Sequence, residues 1–217
     1  MISHKAVGKL LLVMGFCSLV VTLAPTRAGA AGDTFKESAE LGKRTAKTSE
    51  DVNRYVTQLD KTEQALSSVS HAQGMDLKKQ YQSFSKELNS LEKAQINVTS
   101  GVDDMKSTGT DYFSSWDTSI AQISNSELKQ ASAERRVKVM KDHDDLAAAL
   151  DDIETQLQPF MSNLHDLKAF LETDLSPANV DKAGELIHKS QADAQALKDK
   201  IGGVQATLKQ FLNEAPK

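Results

Sequence analysis

The pattern with the clearest chemical potential in this chain is a glutamate three residues before a histidine. Glu185 and His188 have this spacing, which places both side chains on one face of a helix. Di-iron four-helix bundles hold their metal with two such pairs and two further glutamates, but His71, His143 and His165 have no glutamate three residues earlier. We therefore expect Glu185 and His188 to lie on a solvated helix surface, and we predict no metal site.

Haem and calcium are the other cofactors that a helical protein could hold. A b-type haem needs two ligands that face each other, whereas the spacing of Met161 and His165 places them on one helix face. Residues 142–154 are rich in carboxylates but lack the glycine-containing loop that wraps a calcium ion. The acidic residues there are Asp142, Asp144, Asp145, Asp151, Asp152 and Glu154. We predict that they form a solvated surface and that the protein has no cofactor.

Catalysis and nucleic-acid binding have little support in the sequence. The chain lacks the G-x-S-x-G, H-E-x-x-H and glycine-rich phosphate-loop motifs. It has 26 basic against 30 acidic residues and a net charge of −4, so it lacks the basic footprint of a nucleic-acid-binding protein. We predict a protein that is not an enzyme and does not bind nucleic acid.

The first 30 residues have the composition of a secretory signal peptide. Lys5 and Lys9 precede an apolar run over residues 10–23, and the small residues Ala28-Gly29-Ala30 follow it. The run is shorter than the roughly 20 residues that span a bilayer. We predict export, with cleavage between Ala30 and Ala31 and a single mature domain over residues 31–217.

Cleavage at this point would change the charge and the redox chemistry of the chain. The removed segment carries Lys5, Lys9 and Arg27 and no acidic residue, so a net charge of −4 becomes −7. It also carries Cys17, the only cysteine, and a chain without a thiol suits an oxidising compartment. A lipoprotein is not expected, because Phe16 stands before Cys17 where lipidation needs a small residue.

Apolar residues at alternating steps of four and three indicate long helices that pack against one another. One such seam runs from Leu77 to Met105 and can continue to Ile123, and a second runs from Leu146 to Leu171. Weaker seams cover residues 35–69, with Phe35 and Leu41 near the start, and residues 187–211. The pattern predicts an all-α protein, an elongated antiparallel four-helix bundle or coiled coil. The predicted helices are 33–70, 76–123, 126–172 and 177–213.

Residues typical of helix ends separate these segments. Gly74 lies between the first two helices, Ser124 and Glu127 have the spacing of a capping box, and Ser176-Pro177 is a typical helix start. The linkers are short, so neighbouring helices must run antiparallel.

Three residues inside the predicted helices disfavour regular helix. Pro159 predicts a kink in the third helix, because its ring removes a backbone hydrogen bond. Gly101 and Gly109 predict local weakness in the second helix, since each costs about 1 kcal/mol relative to alanine.

The most specific motif of the chain is Tyr112-Phe113-Ser114-Ser115-Trp116 followed by Ile120, Ile123, Asn125 and Leu128. Over most of residues 45–213 the sequence resembles an uncharacterised family of exported helical proteins of Gram-negative bacteria. The resemblance implies a helical fold and a periplasmic or envelope location, and it implies no reaction and no catalytic residue. Further residues that carry it are Arg135, Arg136, Pro159, Phe160, Leu164, Asp166, Leu167, Leu171, Leu175, Ser176 and Pro177.

The turn between the second and third helices carries a candidate contact site. If both outer helices are shorter and align at the opposite end, residues 114–135 project beyond them. Exposed apolar residues beside arginines are typical of contact sites, which predicts a protein or an anionic membrane surface as the partner. The candidate residues are Trp116, Ile120, Ile123, Leu128, Arg135 and Arg136. A local surplus of four positive charges supports the site if only Glu134 faces Lys129, Arg135, Arg136, Lys138 and Lys141.

Two alternatives stay open at this point. In one, Trp116 packs against Leu128 and the stem of Arg135, and the segment only closes the hairpin. In the other, the protein is a periplasmic binding module that holds a small ligand or lipid between its helices. The seams lack convergent polar groups, which favours a helical interaction or scaffold protein of the cell envelope.

Overall fold

The computed structural model describes residues 32–214, which form four α-helices and no strand. The helices are α1 (Gly32–His71), α2 (Met75–Ala121), α3 (Ser126–Thr173) and α4 (Pro177–Glu214). Their bounds agree with the predicted segments to within two residues, so the predicted all-α bundle is confirmed. The predicted signal peptide, residues 1–30, lies outside the described residues. None of the helices between residues 32 and 214 is long and apolar enough to cross a membrane.

The four helices form a ring in which each packs against its neighbours in sequence. α1 packs on α2, α2 on α3 and α3 on α4, and α4 returns to pack on α1. Consecutive helices are antiparallel, so α1 starts and α4 finishes at the end of the bundle that holds the α2–α3 turn.

The core is filled by seam residues from all four helices. Buried positions recur at steps of three and four along α2, α3 and α4. Each buried aliphatic or aromatic side chain contributes about 1.5–3 kcal/mol, and packing of this kind stabilises helices far better than propensity alone. Members with almost no solvent exposure include Leu59, Leu66, Phe84, Leu88, Leu91, Leu146 and Leu157.

Two of the three turns use the residues that the sequence indicates. Gly74 precedes α2 with φ of +59°, a conformation that glycine adopts without steric cost. Ser176 caps α4, because its hydroxyl oxygen accepts a hydrogen bond from the backbone N–H of Asn179 at 3.3 Å.

The cap of α3 differs from the prediction. Its N-cap residue is Asn125, whose side-chain oxygen accepts a hydrogen bond from the backbone N–H of Leu128 at 3.0 Å. The capping box predicted at Ser124 and Glu127 is therefore wrong. The helix starts one residue later than that box requires, and the asparagine side chain satisfies the free N–H.

The glycines inside α2 mark close helix approaches, and α2 runs through both of them. The Thr48 hydroxyl of α1 donates to the carbonyl of Gly101 at 2.9 Å. At Gly109, an added Cβ would lie 2.6 Å from Cε1 of the buried His143 of α3. At Gly109 the close approach of His143 needs a residue without a side chain, and the predicted local weakness stays a prediction. α3 likewise continues through Pro159.

Candidate interaction site at the α2–α3 end

The end of the bundle that holds the α2–α3 turn is built from helices of unequal length. α2 and α3 contain 47 and 48 residues, whereas α1 and α4 contain 40 and 38. The backbone carbonyl of Glu214, the last described residue of α4, accepts a hydrogen bond from Nη2 of Arg135 at 2.6 Å. Residues 126–134 of α3, about 13 Å of helix, therefore extend past the described end of α4.

α1 reaches further toward the turn than α4. The hydroxyl oxygen of Thr34 lies 2.8 Å from that of Ser119, two residues before α2 ends at Ala121. The prediction that residues 114–135 project past both outer helices is therefore wrong on the α1 side. The two outer helices are offset along the bundle axis, so among residues 32–214 the open side is that of α4.

An apolar groove of about 280 Å³ lies where α4 ends. Its walls belong to α1, α2 and α3, and α4 is the helix that completes the ring between α1 and α3 elsewhere in the bundle. The groove thus continues the surface on which α4 packs. Its lining residues are Thr34, Phe35, Ser38, Tyr112, Trp116, Ser119, Ile120, Ile123 and Ser132.

Three of the six predicted contact residues, Trp116, Ile120 and Ile123, line this groove. The indole N–H of Trp116 donates to the hydroxyl of Ser132 at 3.0 Å, and its ring centroid lies 5.4 Å from that of Tyr112. Ile120 is buried, and Trp116 and Ile123 are half-buried. These residues form an apolar floor whose polar atoms already have partners.

Two exposed apolar side chains lie on the helices that line the groove. Leu128 is 64% exposed and lies four residues before Ser132, on the same helix face. It therefore does not pack beneath Trp116, as the hairpin-closing alternative requires. Phe35, on α1, is 74% exposed.

The assignment of Phe35 to the α1 seam is wrong. The buried seam of α1 runs through Ser38 and Leu41, and Phe35 lies beside this register and lines the groove instead. Sequence reasoning missed it as a site residue. Its offset from the three-four spacing of the seam was the available signal.

The two predicted arginines, Arg135 and Arg136, hold helices together. Arg136 pairs with Asp117 of α2 at 2.6 Å, and its guanidinium lies 5.7 Å from the centroid of the Phe113 ring. Arg135 satisfies the last described carbonyl of α4, where helix carbonyls lack partners within their own helix. Both side chains thus have structural contacts within the bundle.

The predicted surplus of positive charge is also wrong. Lys138 pairs with Asp142 and Glu214, both at 2.9 Å, and Lys141 pairs with Asp145. The partners of Arg136 and Lys138 include residues of α2 and α4, which the local sequence could not reveal. The positive charge that supported an anionic membrane surface as the partner is therefore largely neutralised within the bundle.

Hydrogen bonds and burial shift the pKa values of two side chains at this end, Glu214 and Tyr112. The hydrogen bond from Lys138, supported by one from Gln210, lowers the pKa of Glu214. Burial raises the pKa of Tyr112 to about 12, although its hydrogen bond with Ser38 and the nearby charge of Arg135 act in the opposite direction. Tyr112 is therefore a neutral, buried support beneath the groove at physiological pH.

The residues considered as cofactor ligands lie outside this groove. Glu185 and His188 are exposed on α4. The acidic residues of α3 meet cations of this chain instead of a metal: Asp151 pairs with Lys106 at 2.5 Å, and Asp152 pairs with Lys200. In the described part of the chain, no group of three or more His, Cys, Asp or Glu residues could hold a metal ion.

Comparison with known proteins gives one match. No curated protein and no solved structure matches the chain. A family model described as "Protein of unknown function (DUF2959)" matches residues 38–215, which include all four helices except the first turns of α1. The chain therefore belongs to this family of proteins of unknown function, DUF2959.

Proposed function

We propose that this chain is an exported, non-enzymatic helical interaction or scaffold protein of the bacterial cell envelope, and that partners bind at the α2–α3 end. The observation that carries the proposal is the open groove past the described end of α4, with Phe35 exposed in its lining and Leu128 exposed four residues before the lining residue Ser132. Apolar anchors around a concave surface are typical of protein contact sites.

The basic amino-terminal residues, the apolar run over residues 10–23 and Ala28-Gly29-Ala30 support export to the periplasm. We expect the mature chain to begin at Ala31. Cell fractionation followed by amino-terminal sequencing tests this. Recovery of Met1, or of a lipidated Cys17, would contradict it.

Photo-cross-linking in intact cells tests the contact site. A photoreactive amino acid at position 128 should capture a partner protein that the same amino acid at position 96 does not capture. Ile96 is the matched control because it is 67% exposed, almost the same as Leu128, and lies 16 residues before Tyr112, the first α2 residue that lines the groove. Equal capture at both positions, or none at position 128, would overturn the proposal.

A second candidate function is a periplasmic module that binds a small ligand or lipid. The groove favours this candidate too, because apolar clefts with a few hydroxyl groups near their walls also bind small molecules. Under it, the adduct at position 128 would have the mass of a small ligand or lipid instead of a protein.

A further inference from the structure

We infer that the outward face of α2 binds a second copy of this chain in an antiparallel arrangement, so that the protein is a symmetric dimer. This inference goes beyond the proposed function and is independent of the groove at the α2–α3 end. It follows from the order of the charges along α2, from their lack of partners within the chain, and from an exposed isoleucine at the middle of this face.

The exposed face of α2 is basic in its first half and acidic in its second half. Helix residues three, four or seven positions apart lie on one face, and such steps connect the lysines with one another and the aspartates with one another. The exposed lysines are Lys78, Lys79, Lys86 and Lys93, and the exposed aspartates that follow on the same face are Asp103, Asp104 and Asp111. The face therefore has one positive and one negative half.

The other charged residues of α2 lie at the sides of this face. Asp76 lies about three helical turns before Glu87 and so on the same side of the helix, the side toward α1. The remaining four contact polar side chains of the neighbouring helices. They are Glu87, Glu92, Lys106 and Asp117, whose partners are Gln58 of α1 and His165, Asp151 and Arg136 of α3.

Six of the seven charges on the face have no ionic partner within residues 32–214, and Asp104 alone pairs, with Arg44 of α1 at 2.9 Å. The other helices pair their own charges along the helix, as Lys47 does with Asp51 on α1, whereas the described α2 has no such pair. The separation of the charges explains this, because each of the four lysines is followed four residues later by an uncharged residue. The face is thus left with unpaired charges of both signs.

The stability of α2 itself does not account for this order. The peptide dipoles of a helix favour acidic residues near its start and basic residues near its end. Lys78 nevertheless lies in the first turn of α2, and the last turn has no basic residue. A partner that presents the opposite order of charges does account for it.

A second copy of α2 that runs antiparallel presents that opposite order. Lys86 and Asp111 are equally distant from the midpoint between residues 98 and 99, and so are Lys93 and Asp104. A two-fold axis perpendicular to α2 at this midpoint therefore places lysines of each copy opposite aspartates of the other. A parallel copy would place lysine opposite lysine. The face is thus complementary to itself in the antiparallel arrangement.

The middle of the face carries an exposed apolar side chain. Ile96 is 67% exposed and lies so near the midpoint that its two copies would be about 7–8 Å apart along the helices. Asn97 and Ser100, which are also exposed, flank the midpoint and offer hydrogen-bonding groups. An apolar centre with polar and charged residues around it is the usual anatomy of an interface between proteins.

Reversal of charge tests the inference with the protein purified from cells, and analytical ultracentrifugation measures its mass in solution. K86E/K93E makes the whole face acidic, and D103K/D111K makes it basic. Each variant should dimerise at least about tenfold more weakly than the unmodified chain, because like charges then face each other. An equimolar mixture of the two variants should form a mixed dimer, because opposite charges face each other again.

K61E/K182E is the matched control. It makes the same change in net charge at two exposed lysines of α1 and α4 that form no ion pair within residues 32–214, and it should dimerise like the unmodified chain. Circular dichroism should show the same helix content in every variant, since all replaced side chains are exposed.

Three results would overturn the inference. The first is an unmodified chain that is monomeric at its highest soluble concentration. The second is a dimer that neither face variant weakens. The third is a mixture of the two folded variants that stays monomeric, because the loss in each variant would then have a cause other than charge.

Photo-cross-linking in cells separates this inference from the proposed function. A photoreactive amino acid at position 96 should capture a second copy of this chain, and K86E/K93E should abolish that adduct while leaving the adduct at position 128. A different protein at position 96, or none, would overturn the inference and leave the proposed contact site in place. Absence of an adduct at position 128 alone would overturn the proposed function and leave the dimer in place.

Discussion

The two ends of the bundle finish the same core in different ways. At the end with the α1–α2 and α3–α4 turns, Val69, Leu77, Leu171 and Val180 are all buried. At the α2–α3 end, the described part of α4 stops at Glu214, whose carbonyl contacts Arg135, and Leu128 beyond it is exposed. The comparison teaches that one end buries these apolar residues fully, whereas the other end buries Ile120 and leaves Leu128 exposed.

A layer of packed aromatic rings lies next to the groove, on the side toward the middle of the bundle. His143 of α3 lies against Phe113 of α2 and Phe211 of α4, with ring centroids 5.5 and 6.0 Å apart. Gly109 provides the space for the imidazole. These rings join α2, α3 and α4, and the open region begins between this layer and the α2–α3 turn.

The largest expected effect is a loss of stability, which we compare for two leucines of α3, one at each end of the bundle. Leu171→Ala at the closed end should lower the free energy of unfolding by about 2–5 kcal/mol, because it leaves a cavity in a fully buried layer. Leu128→Ala at the open end should change it by less than about 0.5 kcal/mol, as expected for an exposed side chain. Urea unfolding followed by circular dichroism measures both. Similar losses in the two variants would show that the open end is closed in solution.

A smaller effect tests the layer beneath the groove. Gly109→Ala should destabilise the protein by about 1–3 kcal/mol, because the new Cβ would lie 2.6 Å from Cε1 of His143. Gly202→Ala is the matched control, since its Cβ would meet nothing within 4 Å. This control should stabilise α4 by up to about 1 kcal/mol. Stabilisation by both substitutions would contradict the close contact.

The smallest expected effect is on the melting temperature, and it comes from the ion pair between Lys138 of α3 and Glu214 at the end of α4. Lys138 lowers the pKa of Glu214 in the folded protein, so this pair stabilises the fold above the ordinary glutamate pKa of 4.5 and loses its contribution as pH falls through the lowered value. Lys138→Met should therefore lower the melting temperature slightly at pH 7. The difference from the unmodified protein should shrink as the pH falls below that range, and a difference that is unchanged at pH 3 would contradict the pairing.

Much of the fold could be predicted from local pattern. The steps of three and four along α2 and α3 indicated which residues are buried, and Ser176-Pro177 indicated the start of α4. These predictions succeed because burial on one helix face imposes its period on the sequence. The site was only partly predictable: Trp116, Ile120 and Ile123 line the groove, whereas Phe35 reaches it from α1.

The sequence by itself determined the four helices, their antiparallel order and the spacing of the apolar residues Trp116, Ile120 and Ile123, because helix periodicity, caps and short linkers act over a few residues. Only the tertiary structure decided that α1 reaches Ser119 near the α2–α3 turn, that the described part of α4 ends beside Arg135, and that Arg136 and Lys138 pair with Asp117 and Glu214. The offset of packed helices and the partners of long charged side chains depend on residues far apart in the chain, such as Lys198 and Asp60, which are 138 positions apart. No local sequence pattern carries that information, because it depends on how the complete helices pack against one another.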